Sequence, residues 1–143
     1  YDQDGNPVWP AVAINYTSKT QFLYRINKGV EDVGEHRKLN MYMPRSERVV
    51  PFQNMIYIGD GLTDVPSMKL TRSRGGYAIG VYSTPGDAKY LVDEDRVDFY
   101  VKCDYTEGSQ MDFAMKSILD KIRAQNDFEE LSQKSYEVVK ELK

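Results

Sequence analysis

The sequence predicts an α/β protein: a mainly parallel sheet covered by helices on both faces, with a helical C-terminal quarter. Short apolar runs recur at Met55–Ile58, Tyr77–Val81 and Val97–Val101. Stretches carrying helix-start and helix-stop signals lie between and after them. Strands joined through helices cannot pair as hairpins, so parallel neighbours follow. The 143 residues suffice for one domain with a real core.

Taken in order, residues 1–10 are polar and turn-rich, and Asp4-Gly5 is a turn dipeptide. Ala11-Val12-Ala13-Ile14 reads as a short apolar strand. A helix follows from about Ser18 to Lys28, with Phe22, Leu23 and Ile26 as its apolar face. Thr17 or Ser18 can cap its start, and Gly29 stands where a left-handed C-cap belongs. Residues 30–53 are charged, aperiodic and broken by Pro44 and Pro51, so they read as a surface excursion with room for a short helix. Met55–Ile58 is a compact strand, and Pro66 marks the first turn of the next helix. Tyr77–Val81 is a buried-type strand. Thr84-Pro85 reads as a cap and first-turn proline for a helix to Val92, before the last strand at Val97–Val101.

The C-terminal quarter predicts two helices. Ser109 and Asp112 have capping-box spacing, and Met111, Met115, Ile118, Leu119 and Ile122 form one stripe. Asn126 with Glu129 marks a second start, with Phe128, Leu131, Val138, Val139 and Leu142 facing inward.

Composition excludes several classes of function. There are 19 Lys+Arg against 22 Asp+Glu, a formal charge of −3, one Cys and one His. One Cys and one His cannot build a Cys/His zinc site. The mild negative charge gives no basic surface for nucleic acid, and no apolar run approaches membrane-spanning length. Cys103 alone forms no internal disulfide and fits a reducing, cytoplasmic compartment. His36 and Cys103 read as a surface histidine and a semi-buried small side chain. The 11 tyrosines read as packing and surface residues.

Chemistry concentrates in Met55–Pro66, M-I-Y-I-G-D-G-L-T-D-V-P. Asp60 sits at the carboxyl end of an apolar strand, where open α/β sheets place their ligands. Gly59 and Gly61 permit a sharp turn and close approach of a ligand. Asp64 follows four residues later, at the start of a helix whose N-terminus favours anions. Two carboxylates this close repel unless a cation, a shared proton or a hydrogen-bond network offsets them. Mg²⁺ suits such a place, taking one or two carboxylates and leaving room for waters and a substrate phosphate. A bare Gly-Asp-Gly would read as a loop turn with Asp64 as an N-cap. Here strand, glycines, spaced aspartates and proline agree.

Gly59-Asp60-Gly61-Leu62-Thr63-Asp64-Val65-Pro66 after an apolar strand resembles motif IV of the haloacid dehalogenase-like (HAD) hydrolases, mostly Mg²⁺-dependent phosphatases and phosphotransferases. The resemblance spans roughly residues 11–105. It implies a Rossmann-like, mainly parallel core through residue 108, with residues 109–143 as helices packed on the same domain. It implies Asp60 as direct metal ligand, and Asp64 as a ligand through water or as an orienting group. A motif III lysine at a helix start is also implied. Lys19 matches that placement, 41 residues before Asp60, and Lys28 is the runner-up. Such a lysine holds the phosphoryl group of a phosphorylated small-molecule substrate and keeps a nucleophilic aspartate ionised. That nucleophile belongs to motif I, an apolar strand followed by D-x-D-x-[TV].

Asp2-Gln3-Asp4-Gly5 copies the letters of motif I without a strand before it, and Asn6-Pro7 replaces the Thr or Val. It reads as a turn. Motif II has no candidate in order, since Thr17 and Ser18 adjoin the lysine. The expected partner is therefore an upstream segment carrying motif I, whose strand would pair with Met55–Ile58. Without it that strand has an open edge. Arg72 and Arg74 either bind a substrate anion or cover a helix C-terminus. A non-catalytic binding or regulatory module on the same scaffold is the alternative function. The Asp60/Asp64 pair argues against dehalogenation, which needs no metal.

Overall fold

The computed structural model describes residues 2–8 and 12–140, a mixed α/β body built on three short parallel strands. These are β1 (Ile56–Gly59), β2 (Tyr77–Tyr82) and β3 (Phe99–Lys102), in the order β1-β2-β3. The register sets Ile58 beside Ile79 and Ile79 beside Phe99, so apolar side chains align on one face. The helices are α1 (Lys19–Lys28), α2 (His36–Asn40), α3 (Val65–Ser73), α4 (Tyr90–Asp93) and α5 (Gln110–Lys140).

Side-chain alternation divides the core between the two faces of the sheet. Ile79, Val81 and Val101 point one way and bury against Met111, Ala114 and Ile118 of α5, with Ile56 and Ile58 alongside. Ala78 points the other way, packing with Met68 of α3 and Leu91 of α4, and Tyr57 joins that side. α1 in turn packs against α3. Helices on both faces explain why the strands are nearly all apolar.

The start of α5 follows its capping pattern. Ser109 Oγ accepts from the Asp112 N–H at 3.1 Å, and the Gly108 N–H donates to Asp112 Oδ2 at 2.9 Å. Gly29 ends α1 in the left-handed conformation. The polar start is a turn, with Asp2 Oδ1 accepting from the N–H groups of Asp4 and Asn6.

Several expectations are corrected. Val12–Ile14 is exposed and not a strand, because no described strand lies beside it to share hydrogen bonds; Ala11 lies outside the described residues. Neither Thr17 nor Ser18 caps α1. Asn15 Oδ1 instead accepts from the Thr17 and Ser18 N–H groups, a local turn that feeds the helix. Ile26 is exposed, whereas Arg25 and Asn27 are buried. Gly86 and Ala88 have positive φ, which breaks the expected Pro85–Val92 helix into turns and leaves only the single turn of α4. Asn126 and Glu129 start no second helix: Glu129 accepts from Gln125 one turn earlier, and α5 runs through. Leu119, Phe128, Leu131 and Val139 are exposed, not inward. The side chain of Val138 and all of Leu142 lie outside the described residues. Cys103 is exposed.

The excursion between α1 and β1 is pinned by α1 through backbone carbonyls. Arg25 donates to the carbonyls of Asp32 and Val33 at 2.6 and 2.7 Å. Lys28 Nζ donates to those of Leu39 and Met41 at 2.5 and 2.6 Å, and Asn27 to that of Val50 at 2.7 Å. These bonds satisfy the buried side chains of Arg25 and Asn27 and hold Lys28 half-buried.

Candidate active site

β1 delivers its chain into Gly59-Asp60-Gly61, a short 3₁₀ turn covers Leu62–Asp64, and α3 begins at Val65 with Pro66 in its first turn. This turn folds Asp64 back over the end of β1. A Cβ on Gly59 would lie 2.6 Å from Asp64 Cγ, so only glycine lets the carboxylate lie there. Gly61 meets no such contact: a Cβ there finds open space. Of the two glycines, Gly59 has the steric requirement.

Four donors converge on the buried Asp64 carboxylate. Oδ1 accepts from Lys19 Nζ at 2.6 Å and from the Tyr57 hydroxyl at 2.7 Å. Oδ2 accepts from the backbone N–H groups of Asp60 at 3.2 Å and Gly61 at 3.3 Å. Burial pushes this carboxyl up, but the bonds from Lys19 and Tyr57 outweigh it and hold Asp64 below the usual carboxylate range. The same arrangement acts on Tyr57. Burial and then the bond to Asp64 push its phenol up to about 12. The buried Ser67 hydroxyl beside that phenol pulls weakly the other way, without a hydrogen bond of ordinary geometry.

Asp60 differs in every respect. It is exposed, and among the described residues no donor reaches its carboxylate. The two carboxylates therefore hold different positions: Asp64 is saturated, Asp60 is free. Asp64 does not cap α3 with its side chain, as a plain N-cap would.

Lys19 stands at the first position of α1 and meets Asp64 across 45 residues of sequence. Its ammonium also approaches Thr63 Oγ1 at 3.4 Å. An ammonium has three donors, so one remains. Lys28 lies elsewhere, spent on the excursion's carbonyls. The structure thus brings together Lys19, Gly59, Asp60, Gly61 and Asp64, and leaves Lys28 out.

Two aromatic residues edge the same end of the sheet. Burial raises the Tyr90 phenol first, and the charges of Asp64 and Asp60 raise it further. Tyr105 is raised by burial, by Cys103 and then by Asp60. Sequence patterning placed these tyrosines, and Tyr57, among packing and surface residues. A signal for Tyr57 did exist, since a phenol inside an otherwise apolar strand needs a partner.

The arginines lie at the opposite end. Arg72 pairs with Asp98 at 3.3 Å and with Asp95, tying α3 to the loop before β3. Arg74 lines a cleft of about 730 Å³ with Arg45, Arg48, Tyr24, Phe52 and Phe128, which none of Lys19, Asp60 and Asp64 touches.

Mg²⁺ keeps most of its waters and takes few protein ligands, so one free carboxylate at a strand end fits its donor set. Among the described residues no group of three or more His, Cys, Asp or Glu forms a ready cage. Of the two aspartates in this turn, Asp60 is the one whose carboxylate no described donor occupies. No described helix is long and apolar enough to cross a membrane.

No family model matches the chain, and no solved structure matches it. An uncharacterized protein of Borreliella burgdorferi is similar to it, 32% identical over 102 residues covering 68% of this chain. The chain spans about a third, 34%, of that curated relative's length.

Proposed function

We propose that this chain is the lysine-and-metal part of a Mg²⁺-dependent phosphomonoester hydrolase of the HAD type, with a Rossmann-like core and a cytoplasmic location. The observation that carries the proposal is the 2.6 Å contact of Lys19 with Asp64, beside a free Asp60 carboxylate at the carboxyl end of β1. Nothing in local sequence forces a lysine 45 residues away onto that aspartate.

In this reading Asp60 ligates the metal. When bound, Mg²⁺ supplies charge stabilisation for the transferring phosphoryl group. Lys19 uses its remaining donor on a phosphoryl oxygen and keeps a nearby nucleophilic carboxylate ionised. Asp64 keeps Lys19 in place and holds the loop that presents Asp60.

The nucleophilic aspartate is proposed to lie in an upstream segment. Two features support this. Among the described residues β1 pairs with β2 alone, so its outer edge is open for another strand. The matched relative is about three times the length of the matched stretch, which leaves room for such a segment. An intact gene with no strand-plus-D-x-D-x-[TV] segment upstream would sink the proposal.

Assaying the complete polypeptide beside the 143-residue chain, with a generic aryl phosphate and Mg²⁺, tests it. The complete polypeptide is expected to turn over only with metal, and the isolated chain not at all. No turnover from the complete polypeptide on any phosphomonoester would leave the non-catalytic binding module as the better description.

A further inference from the structure

We infer that Tyr57 is a positioning residue, holding the Asp64 carboxylate in the orientation that leaves Asp60 as the free ligand; the inference rests on the proposed role of the site. Lys19 and Tyr57 share one oxygen of Asp64, at 2.6 and 2.7 Å, yet they are anchored differently. Lys19 reaches in on a long side chain that is 28% exposed, with a second partner in Thr63. It is the donor that a phosphoryl oxygen would compete for. Tyr57 has two side-chain torsions, and its ring is packed with Met68, Ala78 and Leu91 between the sheet and α3 and α4. It cannot follow.

The phenol therefore keeps Oδ1 occupied whether or not Lys19 is engaged elsewhere. That fixes the plane of the carboxylate against Gly59, and Oδ2 stays on the N–H groups of Asp60 and Gly61. Without the hydroxyl, a buried carboxylate with one mobile cation would be free to rotate, and both amides would lose their acceptor. The turn that points Asp60 outward would loosen.

Tyr57→Phe keeps the ring and removes only the hydroxyl. In the complete polypeptide, amide hydrogen exchange at Asp60 and Gly61 is expected to speed up about five- to tenfold, the equivalent of one hydrogen bond, while Ile79 and Val81 in β2 change little. The Mg²⁺ concentration for half-maximal turnover is expected to rise by about the same factor, with turnover recovered at excess metal. A purely structural loss would not be recovered by metal. Unchanged exchange at Asp60 and Gly61, or acceleration spread equally through β2, overturns the inference. So does an unchanged Mg²⁺ requirement in an active enzyme. If the wild-type protein shows no turnover, the phosphatase proposal fails, and the exchange measurement still decides the role of Tyr57.

Discussion

Asp64 is a buried carboxylate that stays ionised because a cation, a phenol and two backbone amides face it. Its folded-state pKa lies below the ordinary 3.8, so the unfolded chain binds more protons in that interval and stability rises with pH there. The contribution is present above the unfolded value and is lost as pH falls through the depressed folded one. Thermal melts taken from neutral pH downward should show a fall in Tm beginning near about pH 4, and Asp64→Asn should flatten part of it. An unchanged slope in that variant would contradict the ionised, four-donor site. The spacing of Asp60 and Asp64 was visible in sequence, as was the placement of Lys19. The resemblance implied different roles for the two aspartates, but the donors that saturate Asp64, Tyr57 and the amides of the turn over Gly59, were not legible.

Among the elements, α5 shows how far periodicity reaches. Met111 and Ile118, on the stripe that spacing marks, face the sheet; Ala114, buried beside them, was not on that stripe, and Leu119, which was, is exposed. Beyond Ile122 the same spacing continues, but Phe128 and Leu131 are 67% and 68% exposed. Periodicity reports an apolar stripe; it does not report whether a sheet lies beneath it. Ile118→Ala should cost about 2–5 kcal/mol in chemical denaturation, whereas Leu131→Ala should stay within about 0.5 kcal/mol. Equal losses would mean that the outer half of α5 is packed after all. The broken Pro85–Val92 helix has a different cause. Thr84-Pro85 is a valid start signal, but Thr84 donates its N–H to Asp87 in a tight turn, and positive φ at Gly86 and Ala88 ends the helix before it forms. The polar contacts from α1 to the excursion were illegible because their acceptors are backbone carbonyls, which carry no residue identity.

For the molecule as a whole, the strands fix direction. All three run parallel, so the carboxyl ends gather Asp60, Asp64, Tyr57 and the start of α1 at one end. Arg72 and Asp98 close the other end, where Ala78 donates its N–H to Asp98 at 2.8 Å. The α/β class was legible from three apolar runs and the helical segments around them. Among the described residues β1 has a neighbour on one side only, and the resemblance to the HAD motifs implied an open edge there. Whether that edge is completed upstream bears on the activity, and a single variant addresses the site most directly. In the complete polypeptide, Asp60→Asn replaces the free carboxylate with an isosteric amide that binds Mg²⁺ poorly and disturbs no described hydrogen bond of that side chain. Mg²⁺-dependent hydrolysis of an aryl phosphate should fall by about a hundredfold or more while the thermal melt stays unchanged. Retained metal-dependent turnover in Asp60→Asn would contradict the placement of the metal, and with it the central claim.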